Sequence, residues 1–108
     1  SAGTFIAMAA HISAMAPGTS QGAAHPVNVG GGKMDRTMSK KVENDAASYI
    51  VSLAQQRGRN AKWAELAVRK SESVNEIDAL EKNIIDIVAK NMDSLLKQVE
   101  GRKVETTA

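Results

Sequence analysis

Cysteine is absent from the chain, which excludes disulfides and thiolate metal sites. Aromatic residues are scarce: one Trp, one Tyr and one Phe are too few for a surface that stacks nucleic-acid bases. Neither sign of charge dominates. The 14 basic and 12 acidic residues leave a net charge of +2, and no polyanion partner is implied. With only 2 histidines, a histidine-rich metal site is disfavoured as well. No apolar run reaches membrane-spanning length. The longest, Phe5 to Ala16, is interrupted by His11 and Ser13 and stopped by Pro17. At about twelve residues it suits a buried helix, and it lacks the basic flank of a signal peptide.

A further absence is local. The first 32 residues contain no Asp, Glu, Lys or Arg, and every charged residue lies from Lys33 onward. Chain ends are normally polar and frayed, so this stretch reads like the interior of a larger domain. Ser1 opens it, followed by Ala2 and Gly3. One reading of Ser1 is an N-cap, since Ser before Ala-Gly-Thr and an apolar run is a good helix start. The other is a nucleophile. A serine at a helix N-terminus sits beside unpaired backbone N–H groups and the positive end of the dipole, which can hold the oxyanion of a tetrahedral intermediate.

The length allows one small domain. Periodicity and turn residues predict helices near 2–12, 36–57, 61–69, 76–82 and 92–99, with strands near 13–16, 20–24 and 84–88. Ser71 to Val74 is a further candidate strand. The first helix is apolar nearly all round, which predicts burial on most sides, His11 included. Gly22 with Ala23 and Ala24 suggests close backbone packing. In the second helix Val42, Ala46, Tyr49, Ile50, Leu53 and Ala54 form one face, and Gly58 follows as its stop. Asn60 caps the third helix, which is expected to bury Trp63, Leu66 and Ala67, and Asn75 with Asp78 resembles a capping box. Ile84–Val88 is rich in β-branched residues and reads as a buried strand. Asn91 caps the last helix, expected to end at Gly101, with 101–108 a tail or linker. Gly30-Gly31-Gly32 makes a loop but not a phosphate-binding one, because no Gly-Lys-Ser/Thr follows.

A serine hydroxyl needs a base. A lysine serves only when neutral, and desolvation or nearby positive charge favours that form. Lys41 lies one residue before the apolar face of the second helix, at an edge that could point into a cleft. Alternatively Lys40 and Lys41 are both solvated, with Lys41 paired to Asp45 one turn on. Lys40 is the neighbour that could be mistaken for Lys41.

Several stretches resemble the membrane-bound ClpP-class serine proteases of the NfeD family, the stomatin operon partner proteins. They are Ser1-Ala2-Gly3-Thr4, Ala14-Met15-Ala16-Pro17-Gly18-Thr19, Gly22-Ala23-Ala24-His25-Pro26, Lys41-Val42-Glu43-Asn44-Asp45-Ala46, Arg57-Gly58-Arg59-Asn60, Trp63-Ala64-Glu65 and Ile84-Ile85-Asp86. The likeness runs in order to about Gln98. Asn83 departs from it, standing where the family usually has glycine; Asn tolerates the left-handed conformation required there.

The resemblance implies an α/β, ClpP/crotonase-like fold of which residues 1–100 are the C-terminal half. It implies a serine endopeptidase with Ser1 as nucleophile, Lys41 as base and the backbone N–H of Ala2 in the oxyanion hole. It further implies an apolar peptide substrate such as part of a stomatin-like partner, and a homodimer or higher oligomer. No metal, cofactor or nucleic acid is implied. Membrane association would come through segments outside this chain, with the protease domain outside the cytoplasm. The glycine loop would be a mobile active-site loop; a plain surface linker fits equally.

Three rival arrangements remain beside this one. A triad could form from Ser1, His25 and Asp35 or Asp45. Ser1 could use its own α-amine as base, although such enzymes set the serine on a strand. The chain could also be a non-catalytic structural or interaction module of the same fold. Without an upstream half, the isolated chain is expected to self-associate or fold poorly, and to lack activity.

Overall fold

A computed structural model describes residues 2–27 and 35–107. The elements are α1 (Ala2–Ala9), β1 (Ala14–Met15), β2 (Ser20–Gly22), α2 (Arg36–Gln56), α3 (Ala61–Arg69), β3 (Ser73–Asn75), α4 (Glu76–Glu81), β4 (Ile87–Val88) and α5 (Met92–Thr107). Ser1 and the Gly30-Gly31-Gly32 loop lie outside the described residues.

The caps expected of Asn60, Asn75 and Asn91 form, and Asp35 supplies a further one at α2. Asp35 caps α2 through the Met38 N–H, Asn60 caps α3 through Trp63, and Asn75 caps α4 through Asp78. Asn91 likewise accepts from the Ser94 N–H at 2.8 Å. Each side-chain oxygen satisfies one orphan donor of the first turn. Gly58 takes φ +67° just past the α2 C-cap, and Asn83 takes φ +61° past α4. The Asn83 side chain also donates to the Gly58 carbonyl at 2.7 Å, tying the two turns together.

Two short pairings complete a mixed α/β architecture. β1 runs parallel to β4, with Ala14 opposite Ile87 and Met15 opposite Val88. β2 runs antiparallel to β3, with Gln21 opposite Val74 and Gly22 opposite Ser73. Gly22 is required there. A Cβ at this position would lie 2.1 Å from the Glu72 carbonyl oxygen.

The core joins Met8 of α1, Ile50 of α2, Val68 of α3 and Ile84, all fully buried. Alanines fill the seams between them: Ala47 and Ala54 on α2, Ala64 and Ala67 on α3, Ala79 on α4. Small side chains let the helix backbones approach closely, so the buried face of α2 is Ala47, Ile50 and Ala54. Tyr49 stays largely exposed, and so do parts of the expected faces elsewhere, Leu66 among them.

Four expectations are corrected. α1 ends at Ala9, and His11 is exposed in the bend that follows, not a core residue. Ile84 and Ile85 are buried but not in a strand, because their N–H groups bond the Ala79 carbonyl at the end of α4. Only Ile87 and Val88 are left to pair. The strand after α3 begins at Ser73 rather than Ser71, which sits in a left-handed bend. Finally, α5 runs through Gly101 to Thr107. A mid-helix glycine costs only about 1 kcal/mol, too little to stop a helix that continues favourably.

Candidate active site

The first helix and the long second helix run in the same direction. Phe5 of α1 stacks on Tyr49 of α2, with ring centroids 6.0 Å apart. One turn further along α1, the Ala9 carbonyl accepts from Arg57 Nε at 2.7 Å, at the C-terminal end of α2. Both N-terminal ends therefore lie on the same side of the Phe5–Tyr49 contact. That end carries Ala2 on α1 and Lys40 and Lys41 on α2. Ala2, as the first residue of α1, has a backbone N–H with no partner inside the helix.

The two lysines differ. Lys40 Nζ lies 3.4 Å from Glu43 Oε2. Lys41 makes no ion pair among the described residues, and the alternative pairing with Asp45 is not formed. Lys41 is exposed, on a shallow surface shared with Arg36, Thr37, Lys40, Asn44 and Asp45, rather than enclosed in a cleft.

Glu43 is the hub beside them. Its carboxylate accepts from Arg69 Nη1 at 2.9 Å and stands 3.8 Å from His25 Nδ1. Partial burial pushes its pKa up, but the bonds from Arg69 and Lys40, with the charges of Lys40 and His25, outweigh this and hold it below the ordinary carboxylate value. Arg69 also binds Glu65 at 2.8 Å and Asn44 at 2.8 Å. This network occupies Lys40 and leaves Lys41 outside it.

His25 Nδ1 lies 2.7 Å from the Val68 carbonyl oxygen, with Glu43 as its carboxylate neighbour. Neither Asp35 nor Asp45 pairs with it among the described residues; Asp35 is committed to capping α2. This does not assemble the Ser/His/Asp arrangement. No grouping of three or more His, Asp or Glu among the described residues could hold a metal ion.

A second constellation sits at the other end of α1, and sequence reasoning missed its role. Arg59 is buried, and its Nη1 lies 2.9 Å from Asp86 Oδ2. Its Nε donates to the Met8 carbonyl at 3.3 Å and its Nη2 to the Ala10 carbonyl at 2.5 Å. Asp86 Oδ2 also accepts the Ser13 N–H at 2.9 Å. The signal available in the sequence was Arg57-Gly58-Arg59, two arginines around a helix stop. Nothing local says that the second one turns inward.

No family model matches the chain. It is 41% identical over 107 residues to the membrane-bound protease PH1510 of Pyrococcus horikoshii, a match that covers 97% of this chain and 24% of that protein. The chain thus spans about a quarter of the length of the curated relative it matches. Among solved structures it is similar to the 1510-N membrane-bound stomatin-specific protease. A lysine-to-alanine mutant in complex with a substrate peptide matches at TM-score 0.77 and 41% identity, over 90% of this chain and 45% of that one. A serine-to-alanine mutant matches at TM-score 0.78 and 40% identity, over 90% of this chain and 47% of that one. A third, the 1510-N membrane protease specific for a stomatin homolog from Pyrococcus horikoshii, matches at TM-score 0.71 and 40% identity, over 91% and 41%. The resemblance to membrane-bound, stomatin-directed proteases is therefore borne out, and so is a mixed α/β fold shared with them. The serine and the lysine changed in those two mutants stand 41 residues apart. Ser1 and Lys41 are one residue closer, and Ser1 and Lys40 two.

Proposed function

We propose that the chain is the C-terminal half of a ClpP/crotonase-like serine protease domain. Ser1 is the nucleophile, Lys41 the base, and the Ala2 N–H one donor of the oxyanion hole. The observation that carries this reading is the common direction of α1 and α2. It sets Ala2 and Lys41 on one side of the Phe5–Tyr49 stack, while Lys40 lies 3.4 Å from Glu43 Oε2. The serine and lysine mutants of the solved relatives support the same pair of residue types. A one-residue shortening between the two positions brings Lys41 into register, and Lys40 would need two.

In this reading the neutral Lys41 amine takes the proton of Ser1 as its oxygen attacks the scissile carbonyl. The amine then returns that proton to the leaving nitrogen. The negative oxygen is held by the Ala2 N–H at the positive end of α1. A second donor and the covering that desolvates Lys41 would come from an upstream half of the domain. The substrate would be an apolar peptide segment, such as one from a stomatin-like partner, cleaved by a membrane-associated oligomer with its protease domain outside the cytoplasm. Residues 101–108 stay outside the catalytic half, even though α5 extends to Thr107.

The experiment is peptide cleavage by the full-length protein. Ser1→Ala and Lys41→Ala should each abolish it, and Lys40→Ala should leave it largely intact. Full activity in Lys41→Ala would remove lysine from the mechanism.

A further inference from the structure

Helices commonly finish on a glycine turn or on basic residues in their own last turn, which satisfy the orphan carbonyls. The α1 helix has neither. Its last turn holds no basic residue, and Ala10 and His11 follow it. Its carbonyls are taken instead by side chains of the α2–α3 turn. Arg57 binds Ala9, and Arg59 binds both Met8 and Ala10.

Arg59 is itself fixed from behind. Its backbone N–H bonds the Ala54 carbonyl of α2 at 2.7 Å, and the next residue, Asn60, bonds the Asn83 carbonyl at 3.0 Å. Its guanidinium, buried with the residue at 6% exposure, is balanced by Asp86. A planar fork held this way fixes direction as well as distance, which a lysine ammonium cannot reproduce. The turn that closes the helix carrying Lys41 thus grips the helix that Ser1 precedes.

We propose that Arg59 is a positioning residue for the nucleophile. Resting on the Ser1/Lys41 reading above, it sets the axial position of α1 against α2, and with it the place of Ser1 and the Ala2 N–H relative to the Lys41 amine. The α1 helix has 8 residues, a rod of about 12 Å, so a slip at its C-terminal end is passed to its N-terminal end. Misplacement of reacting groups by about 1 Å can cost on the order of a hundredfold in rate.

The test uses the full-length protein with Arg59→Lys, Arg59→Met and Arg57→Gln. Three quantities are measured at a temperature where circular dichroism shows each variant fully folded. These are kcat and KM on an apolar peptide, and the rate at which a fluorophosphonate probe labels Ser1. Arg59→Lys and Arg59→Met should lower kcat about a hundredfold, with KM within about threefold of the parent. Labelling of Ser1 should slow in proportion, and Arg59→Lys should melt closer to the parent without recovering the rate. Folded variants with parental kcat and labelling would reduce Arg59 to a fold-stabilising residue and overturn the proposal. Should both Arg59 variants fail to fold, Arg57→Gln decides. That exposed side chain reaches the Ala9 carbonyl, so a kcat lowered at constant KM supports the proposal and a parental kcat overturns it. A parent protein that is not labelled at Ser1 removes the dyad and this proposal together. A parent labelled at Ser1, with Arg59 variants labelled equally fast, removes this proposal alone.

Discussion

Phe5 and Tyr49 stack with their ring planes 22° apart, one from each of the two helices that frame the candidate site. Tyr49 is 60% exposed, so the pair adds less through burial than through orientation. Aromatic pairs of this kind contribute about 0.5–1.5 kcal/mol beyond area. A double-mutant cycle with Phe5→Leu and Tyr49→Leu should therefore give a coupling of about 1 kcal/mol in denaturant unfolding. A coupling of zero would mean that the rings do not link the helices in solution.

Gly22 and Gly58 both have positive φ, but their surroundings differ. At Gly58 a methyl group would meet nothing within 4 Å, whereas at Gly22 it would meet the Glu72 backbone. Gly58→Ala should cost about 1–2 kcal/mol, the left-handed penalty alone. Gly22→Ala adds a backbone clash and should cost about 3 kcal/mol or more. Equal losses in urea melts would show that β2 and β3 separate easily.

Glu76 sets a pH dependence. Its carboxylate accepts from the Gly18 N–H at 2.9 Å, which fastens the Pro17-Gly18-Thr19 turn to α4. The Gly18 N–H first, then the Glu76 and Thr19 N–H groups, hold its pKa below the ordinary carboxylate value, against the opposing effect of burial. A lowered folded pKa means the ionised form is favoured by folding. Its stability contribution is complete above the unfolded value and is lost as pH falls through the folded one. Glu76→Gln should be less stable than the parent at pH 7, with the gap closing below the pKa of the folded carboxyl. A gap that stays constant down to acid pH would mean that the carboxylate charge plays no part.

The positions of α2 and α3 were legible because their signals are local. Apolar periodicity marks α2 and Gly58 its break, and Asn60 carries the α3 cap within a few residues of the end it defines. Asn83 was legible for the same reason, since its left-handed φ answers a need of its own turn. What escaped the sequence depends on partners far along the chain. Ile84 and Ile85 have the β-branched character of strand residues, but Ala79 takes their N–H groups. The carbonyls at the early end of α1 are met by Arg57 and Arg59, about fifty residues away. At the site, Ala2 and Lys41 were reached through the family resemblance, and spacing could not separate Lys41 from Lys40. In the fold Lys40 pairs with Glu43, and Lys41 makes no ion pair among the described residues.

The isolated chain should associate with itself. Ile6 is 69% exposed on α1, with Ala2 and Gly3 also open on that helix. In the proposed complete domain this face is covered by upstream βα units; alone, it is an apolar patch of the kind that seeks a partner. Sedimentation of the purified 108-residue chain should show dimers or larger species. A peptide assay should show no cleavage, since loss of one oxyanion donor costs about a hundredfold or more. A stable monomer that cleaves peptide would refute the missing-half account.

The bond between the Ser13 N–H and Asp86 spans 73 positions of the chain. Closing so long a loop is entropically slower than forming the neighbouring α2–α3 hairpin. The α1 helix is then secured after the α2–α3 hairpin, and the proposed catalytic end takes shape with it. Refolding kinetics should register this order. Ala64→Gly, in the hairpin, should mainly slow folding, while Asp86→Asn should leave the folding rate nearly unchanged and speed unfolding.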